Sequence, residues 1–269
     1  MGRLTTRRPV LRLSAGGDVS RPDTLVVEEP LELRIDGISL TVTMRTPGDD
    51  LDLAAGFLVA EAAVTRSEQI RSMKYCAGAD ATGQNAFNLL DLSLTVPGPA
   101  PRAFVTTSSC GVCGSASLDA VRQRVSFDVT ADATTFTRAT VLGLPDRLRA
   151  DQAVFERTGG LHAAGVFTAA GELLCLREDV GRHNAVDKVV GWALREDRLP
   201  LRGTILLVSG RASFELVQKA WQAGVPALAS ISAPSSLAVD LAKEAGMTLI
   251  GFLRGDTMNI YSGAERVLT

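Results

Sequence analysis

Two cysteines, Cys110 and Cys113, form a Cys-x-x-Cys pair within the stretch VTTSSCGVCGSASLDAVRQR at positions 105–124. Thiols at this spacing can bind zinc, cycle between dithiol and disulfide, or present a nucleophilic thiolate on a loop. A helix is predicted to begin just after Cys113, and the positive end of its dipole favours a thiolate nearby. Gly111 and Gly114 give the segment the backbone freedom of a mobile loop. The spacing of the pair is therefore compatible with several chemistries, and other features of the sequence are needed to choose between them.

Zinc is the least favoured of these chemistries. A structural zinc site needs four ligands, but the sequence holds a single Cys-x-x-Cys pair. Cys76 and Cys175 stand alone in strand-like runs and are predicted to be core residues. The two histidines, His162 and His183, lie 21 positions apart, and the stretches LHAAG and SSCGVC lack the Glu and Pro of a nucleobase deaminase. A mobile loop with an activated thiolate is favoured; a redox dithiol and incidental surface thiols stay open.

Composition excludes some classes of protein. The chain has 269 residues, 46% apolar and 22% charged, with a formal charge of -2. This balance is typical of a globular protein and does not predict binding to nucleic acid or anionic lipid through net charge. No apolar run approaches the ~20 residues that span a bilayer, and four cysteines are too few for a disulfide framework. We expect no nucleic acid and no membrane partner, a cytoplasmic location, and a loose arm over residues 1–21.

The first part of the chain predicts a small α+β unit. VVEEPLELRIDGISLTVTM alternates apolar and polar residues around Asp36-Gly37, which indicates a β-hairpin. DDLDLAAGFLVAEAAV has helical spacing with acidic residues at its start. Two further strands are predicted in IRSMKYCAG and NAFNLLDLSL, and VPGPAP then interrupts. We assign residues 1–135 to this unit, with the cysteine pair near its end.

The second part, residues 136–269, predicts an α/β domain. A helix broken near Pro145 is followed by two strands joined at Ala170-Gly171, and then by alternating helices and strands. Continuous apolar strands between helices indicate a largely parallel sheet in a three-layer α/β/α arrangement. Glu215 and Lys219, four positions apart on one predicted helix, are expected to pair.

Three polar loops follow predicted strands of this sheet: REDVGRHN, SGRAS and SAPSS. Ligands of α/β proteins gather at the carboxyl ends of strands, where helix N-termini point outward. Arginines add positive charge to the same loops and beyond the last strand, at positions Arg177, Arg182, Arg211 and Arg254. The pattern favours a site for a phosphate-bearing ligand, although helix caps with surface arginines would look the same. His162 is either a ligand contact or a structural residue, and Asn184, beside His183 and Asp187, is also suited to a helix cap.

Six motifs in order resemble the FdhD family, the sulfurtransferases required for active formate dehydrogenase. They are CGVCG, LHAAG, EDVGRHNAVDKVVG, SGRASFELVQKA, ISAPSSLAVDLA and GFLRGDTMNIYS. The resemblance runs over most of the chain, from EEPLELRIDG to near the C-terminus. It implies that the second domain is cytidine-deaminase-like.

The resemblance also implies a function. Cys110 would accept persulfide sulfur from a cysteine desulfurase, and Cys113 would assist as a second carrier or resolving thiol. The acceptor would be the bis-molybdopterin guanine dinucleotide cofactor, with molybdenum or tungsten, of a formate dehydrogenase. We expect no metal ion bound directly by side chains. We expect the protein to form a homodimer. The residues expected to bind the cofactor are Phe252, Leu253, Arg254, Gly255, Asp256, Thr257, Arg182, His183, Arg211, Ser213 and His162. The alternative is a non-catalytic chaperone that carries the cofactor and uses its cysteines to sense redox state.

Overall fold

The computed structural model describes residues 4–76, 87–100 and 125–269, so the predicted catalytic pair Cys110 and Cys113 lies outside the described residues. The described part contains two larger sheets and six α-helices. The strands are β1 (Thr5–Arg12), β2 (Val19–Val26), β3 (Glu29–Ile35), β4 (Ile38–Arg45), β5 (Ile70–Tyr75), β6 (Leu89–Leu94), β7 (Phe136–Thr137), β8 (His162–Thr168), β9 (Leu173–Asp179), β10 (Thr204–Val208), β11 (Ala227–Ser230), β12 (Thr248–Arg254), β13 (Thr257–Ser262) and β14 (Val267–Leu268). The helices are α1 (Asp50–Ala60), α2 (Arg138–Ala150), α3 (Ala153–Thr158), α4 (Arg182–Arg195), α5 (Phe214–Gln222) and α6 (Ser236–Glu244).

The first sheet has four strands in the order β4-β3-β6-β5. Its β3–β4 hairpin confirms the prediction from Asp36-Gly37: both residues have positive φ, 48° and 80°, as a type I′ turn requires. α1 is buried on nearly all sides because it lies between this sheet and the helices of the second half.

The second sheet has six strands in the order β13-β12-β11-β10-β8-β9. Only β10, β11 and β12 are parallel; β8, β9 and β13 pair antiparallel with their neighbours. The prediction of an α/β fold is confirmed, but the sheet is mixed and not largely parallel. The reason lies in the connections: the short turns at 169–172 and 255–256 can join only antiparallel strands.

Helices cover both faces of this sheet. Successive residues of β10 point to opposite sides, so Ile205 and Leu207 pack in one apolar cluster with α2, while Leu206 and Val208 pack in another with α4, α5 and α6. The cytidine-deaminase-like assignment stays a prediction, as does the domain boundary at 135/136.

The two halves meet where α1 crosses α4. A Cβ at Gly56 would lie 1.8 Å from the backbone oxygen of Asp187, and a Cβ at Gly191 would lie 1.8 Å from the backbone oxygen of Asp52. Glycine at both positions therefore lets the two backbones touch. Asp52 also accepts from Arg177 and Arg195 across the same contact.

Two local expectations are wrong. Residues 1–21 are not a loose arm throughout, because β1 and β2 pair along their whole length in an exposed hairpin. The helix predicted to break at Pro145 runs through it and ends at Ala150, since Leu144 and Leu148 are fully buried on the same helix and hold it to the sheet. Among the described residues, the structure has no helix long and apolar enough to cross a bilayer.

Candidate functional site

One edge of the six-stranded sheet collects nearly all the predicted binding residues of the described chain. β10, β11 and β12 are parallel, so their carboxyl ends share an edge. β8 starts there because it runs antiparallel to β10, and β9 ends there because it runs antiparallel to β8. Three helices, α4, α5 and α6, begin in the loops that leave this edge. We call it the polar edge: His162, Asp179–His183, Ser209–Ser213, Ser232–Ser235 and Phe252–Thr257.

Asp179 shapes the turn that carries Arg182 and His183. Its Oδ1 accepts from the backbone N–H of Gly181 at 2.8 Å and from Nδ2 of Asn184 at 2.9 Å. These bonds fold the backbone sharply from the end of β9 into the first turn of α4. Asn184 is therefore buried in the turn, donating also to the carbonyl of Met44 at 2.7 Å, and is not the N-cap of α4, which is Gly181.

His162 stands at the centre of the polar edge. The neighbouring strand end is fixed by two bonds, from Ala163 N to Ser209 Oγ and from Ser209 N to Ala163 O, each 2.9 Å. A Cβ on Gly210 would lie 3.4 Å from Nδ1 of His162 and 3.9 Å from Cδ of Arg182. The glycine thus lets the loop after β10 close over the imidazole and bring it beside Arg182.

The pKa of His162 is lowered, first by burial and then by the charge of Arg182. In the unfolded chain the imidazole titrates near 6.5. The unfolded state therefore binds the proton more readily, and the free energy of unfolding should fall as the pH drops through 6.5 toward the lower pKa of the folded state. We expect NMR titration of the chain's two histidines to place the pKa of His162 below about 6.5. The loss of stability at acid pH should be smaller in His162→Gln. A pKa of His162 above about 6.5 would contradict a buried imidazole beside Arg182.

His183 pairs with the first turn of the next helix. Its Nε2 lies 2.7 Å from Oε2 of Glu215, and Ser213 Oγ is 3.5 Å from the same nitrogen. Lys219 pairs with buried Asp187 at 2.6 Å, across two helices. Both contacts join α4 to α5, and the local pairing expected between Glu215 and Lys219 stays a prediction.

The pKa of the Asp187 carboxyl is raised, because burial raises it more than the nearby charge of Lys219 lowers it. Arg177, expected to add charge to the polar edge, instead forms an ion pair with Asp52 of α1, with 2.9 Å between Nη2 and Oδ2. Its charge is therefore compensated at the contact between the halves.

The β12–β13 turn supplies the other part of the edge. Phe252 has a φ of 51°, an unusual value for a bulky residue, and sits in a β-bulge between Gly251 and Arg254. Its N–H donates to Ser232 O at 3.1 Å. The side chain of Leu253 is fully buried in the core, so it can offer an external ligand only its backbone. Strained backbone of this kind persists where surrounding structure imposes it and is concentrated at functional sites.

Beyond the bulge the turn is open to solvent. Arg254, Gly255, Asp256 and Thr257 are exposed, and the guanidinium of Arg254 lies 5.7 Å from the centre of the Phe252 ring. The turn and His162 lie at the same edge but on strands that are not neighbours. Three strand spacings separate β12 from β8, roughly 14 Å. The loops between them touch, since Ser235 N donates to Ala212 O at 3.0 Å.

The donor groups at this edge fit a polyanionic ligand. Arg211 and Arg254 are exposed, and the first turns of α4, α5 and α6 open toward the same side. Backbone N–H groups at helix starts and guanidinium groups are both ligands for phosphate. Among the described residues no three His, Cys, Asp or Glu side chains are grouped as a metal site.

Sequence reasoning gave no individual role at this edge to three residues that build it: Asp179, Ser209 and Glu215. An Asp two positions before a helix-starting Gly could have indicated the turn, but the partners of Ser209 and Glu215 come from other elements. Of the single cysteines, Cys175 is buried as predicted, and burial raises its pKa to about 12. Cys76 is only half-buried.

The fold and the edge define a class: an α/β protein with a second sheet unit, whose strand ends and arginines suit an anionic ligand. The FdhD/NarQ family model matches residues 26–268, and the chain belongs to this family. The sulfur carrier protein FdhD of Nocardia farcinica is 58% identical over 267 residues, covering 99% of this chain and 96% of that protein. The protein of the same name from Mycobacterium tuberculosis is 54% identical, covering 99% and 100%.

The fold is also similar to a solved structure. A protein from Desulfotalea psychrophila, described as a formate dehydrogenase accessory protein, superposes with a TM-score of 0.79. The two chains are 23% identical, and the match covers 99% of this chain and all of the other. The likeness shows that the fold described here is shared.

Proposed function

We propose that this protein is a sulfur carrier that takes persulfide sulfur from a cysteine desulfurase and delivers it to the bis-molybdopterin guanine dinucleotide cofactor of a formate dehydrogenase. The observation that carries the proposal is full-length similarity, at 54–58% identity, to proteins named sulfur carriers. The Cys-x-x-Cys pair of the sequence and the phosphate-suited polar edge support it independently.

Cys110 carries the sulfur in this proposal. Its thiolate attacks the outer sulfur of the persulfide on the desulfurase cysteine, a new S–S bond forms on Cys110, and the desulfurase cysteine leaves as a thiolate. No net oxidation or reduction occurs, since one persulfide replaces another. The step requires an accessible thiolate, which buried Cys175 cannot offer because its pKa is about 12.

Cys113 completes the chemistry as a resolving thiol. Its thiolate attacks the inner sulfur of the Cys110 persulfide, a Cys110–Cys113 disulfide forms, and the outer sulfur leaves as sulfide with the electron pair. The two electrons that reduce the transferred sulfur come from the dithiol. A reducing cytoplasm would then regenerate the dithiol.

The polar edge holds the acceptor while sulfur is transferred. Arg182, Arg211 and Arg254 are suited to the phosphates, together with the first turn of α5 at Ser213. The roughly 14 Å between the His162 region and the Phe252–Thr257 turn allows one extended, two-ended ligand to lie along the edge. His162, neutral by its lowered pKa, can accept a hydrogen bond there. A homodimer is part of the proposal, with the client dehydrogenase bound as a separate partner.

Mass spectrometry tests the proposal directly. The purified protein is incubated with a cysteine desulfurase and cysteine, and the Cys110 peptide should gain one sulfur atom that reductant removes. If no cysteine gains sulfur although the protein binds GDP, the non-catalytic cofactor-chaperone function replaces transfer.

GDP serves as a probe of the acceptor site because it carries the guanine and phosphates of the cofactor. We expect Arg254→Ala to weaken GDP binding by about 10-fold, the loss of one charge-assisted hydrogen bond, and to flatten its salt dependence. Arg71→Ala is the matched control, since Arg71 is an exposed arginine on the other sheet. Isothermal titration calorimetry measures both, and equal affinities for the two variants would remove Arg254 from the site.

A further inference from the structure

A buried ion pair lies beneath the polar edge. Lys188 and Asp179 are each at most 1% exposed, and Lys188 Nζ lies 2.8 Å from Asp179 Oδ2. Lys188 also donates to the carbonyls of Thr46, at 2.9 Å, and Glu178, at 3.4 Å, so its three N–H groups all have acceptors. Asp179 in turn accepts four hydrogen bonds, two at each oxygen. A pair this completely bonded fixes the position of every group around it.

Thr46, in the first half of the chain, is bound by this pair through its backbone N–H and carbonyl, and by Val180 through its hydroxyl. Its N–H donates to Asp179 Oδ2 at 3.1 Å, its carbonyl accepts from Lys188, and its Oγ1 accepts from the N–H of Val180 at 3.1 Å. Asn184 adds a bond to Met44 O at 2.7 Å. Met44 and Thr46, which precede α1 and do not belong to the second sheet, therefore fix the β9–α4 turn through hydrogen bonds.

The residues held in this way are those that the polar edge uses. Asp179 is joined to Gly181 and Asn184, which stand on either side of Arg182 and His183. Helix α4 also carries Lys188 one turn after Asn184. Movement of Thr46 or loss of the ion pair would thus rotate the turn and displace both side chains from His162 and Glu215.

We propose that Asp179 and Lys188 are positioning residues, which lock the Val180–His183 turn onto Thr46 so that the first half of the chain sets the geometry of the polar edge. The part that concerns ligand binding rests on the proposed function. The part that concerns geometry does not.

The test uses the two histidines as reporters, because His162 and His183 are the chain's only histidines and both lie on the polar edge. In histidine-labelled full-length protein, Lys188→Met should shift the His183 ring signals and weaken GDP binding at least 10-fold. The control is Arg266→Met. Arg266 is another buried cation that donates to backbone carbonyls, those of Val129, Asp132 and Gly246. It lies near the amino end of β12, at the opposite edge of the sheet.

Both variants should unfold at lower temperature, but only Lys188→Met should change the histidine signals and GDP affinity. If Lys188→Met leaves the histidine signals and the GDP affinity unchanged, as Arg266→Met should, the positioning role is wrong. The Asp179–Lys188 pair then contributes only to stability. If the unmodified protein binds no GDP, the proposed function fails, while the histidine signals still decide the geometric claim.

A milder variant keeps the test decisive if Lys188→Met does not fold. Thr46→Val retains the backbone bonds to Asp179 and Lys188 and removes only the acceptor for Val180, 134 positions away in the chain. It should shift the same His183 signals by a smaller amount. Unchanged His183 signals in a folded Thr46→Val protein would overturn the proposal.

Discussion

Replacing Cys110 with alanine should abolish activation of formate dehydrogenase while leaving GDP binding unchanged. Sulfur transfer passes through one thiolate, so its loss removes the only carrier that the proposal provides. We expect at least a 100-fold fall in the rate of activation, the scale typical for loss of a nucleophile in covalent catalysis. The measurement is dehydrogenase activity after reconstitution, beside mass spectrometry of the variant treated with desulfurase and cysteine.

Cys175→Ala is the matched control for this experiment. Its thiol is buried with a pKa of about 12, so it should take no sulfur, and its replacement should leave activation intact. Cys113→Ala should still accept sulfur on Cys110 but release it slowly, because the resolving thiol is missing. Full activation by Cys110→Ala would instead favour the cofactor chaperone.

Replacing Gly56 with alanine should destabilise the protein more than any surface change. The new Cβ would lie 1.8 Å from the backbone oxygen of Asp187, and backbone cannot rotate away as a side chain can. The helices α1 and α4 must separate, which breaks close packing along their whole contact. We expect a loss of about 4 kcal/mol or more in the free energy of unfolding, a large share of the 5–15 kcal/mol typical of a native protein.

Urea denaturation followed by circular dichroism measures this loss, and Gly143→Ala provides the control. Gly143 is also helical, in α2, but a Cβ there meets nothing within 4 Å. Alanine at that position should stabilise the protein by about 0.5–1 kcal/mol through helix propensity. A Gly56→Ala protein with an unchanged midpoint would show that the helices do not touch as described.

Local and periodic signals predicted most of the second sheet and its edge. The polar edge could be foreseen because the carboxyl ends of parallel strands meet, which places the loops at 209–213 and 232–235 side by side. The Asp36-Gly37 turn is equally predictable from the sequence, because these two residue types favour the positive φ values of a type I′ turn. Local signals are confirmed where the residues themselves fix the backbone, as at Asp36-Gly37, but the break expected at Pro145 is overridden by the burial of Leu144 and Leu148.

The rest depends on residues far apart in the chain. Lys219 has a suitable partner four positions away, yet it binds Asp187 because two helices pack together. Asp179 reads as an ordinary polar residue at a strand end, and its role emerges only when Thr46 lies against it. The sequence predicts only a binding segment after β12 and not the β12–β13 hairpin, because Gly255-Asp256 is equally compatible with a loop. Tertiary contacts of this kind leave no periodic trace in the sequence.

The crossing of α1 and α4 has a consequence for how the protein is made. α1 leaves the ribosome about 130 residues before α4, and at roughly 5–20 residues per second that interval lasts on the order of 10 seconds. During this time the apolar surface around Gly56 that α4 will cover has no partner from its own chain. We therefore expect the newly made first half to bind chaperones that recognise exposed apolar helices, and slow translation between positions 60 and 182 to lengthen that exposure.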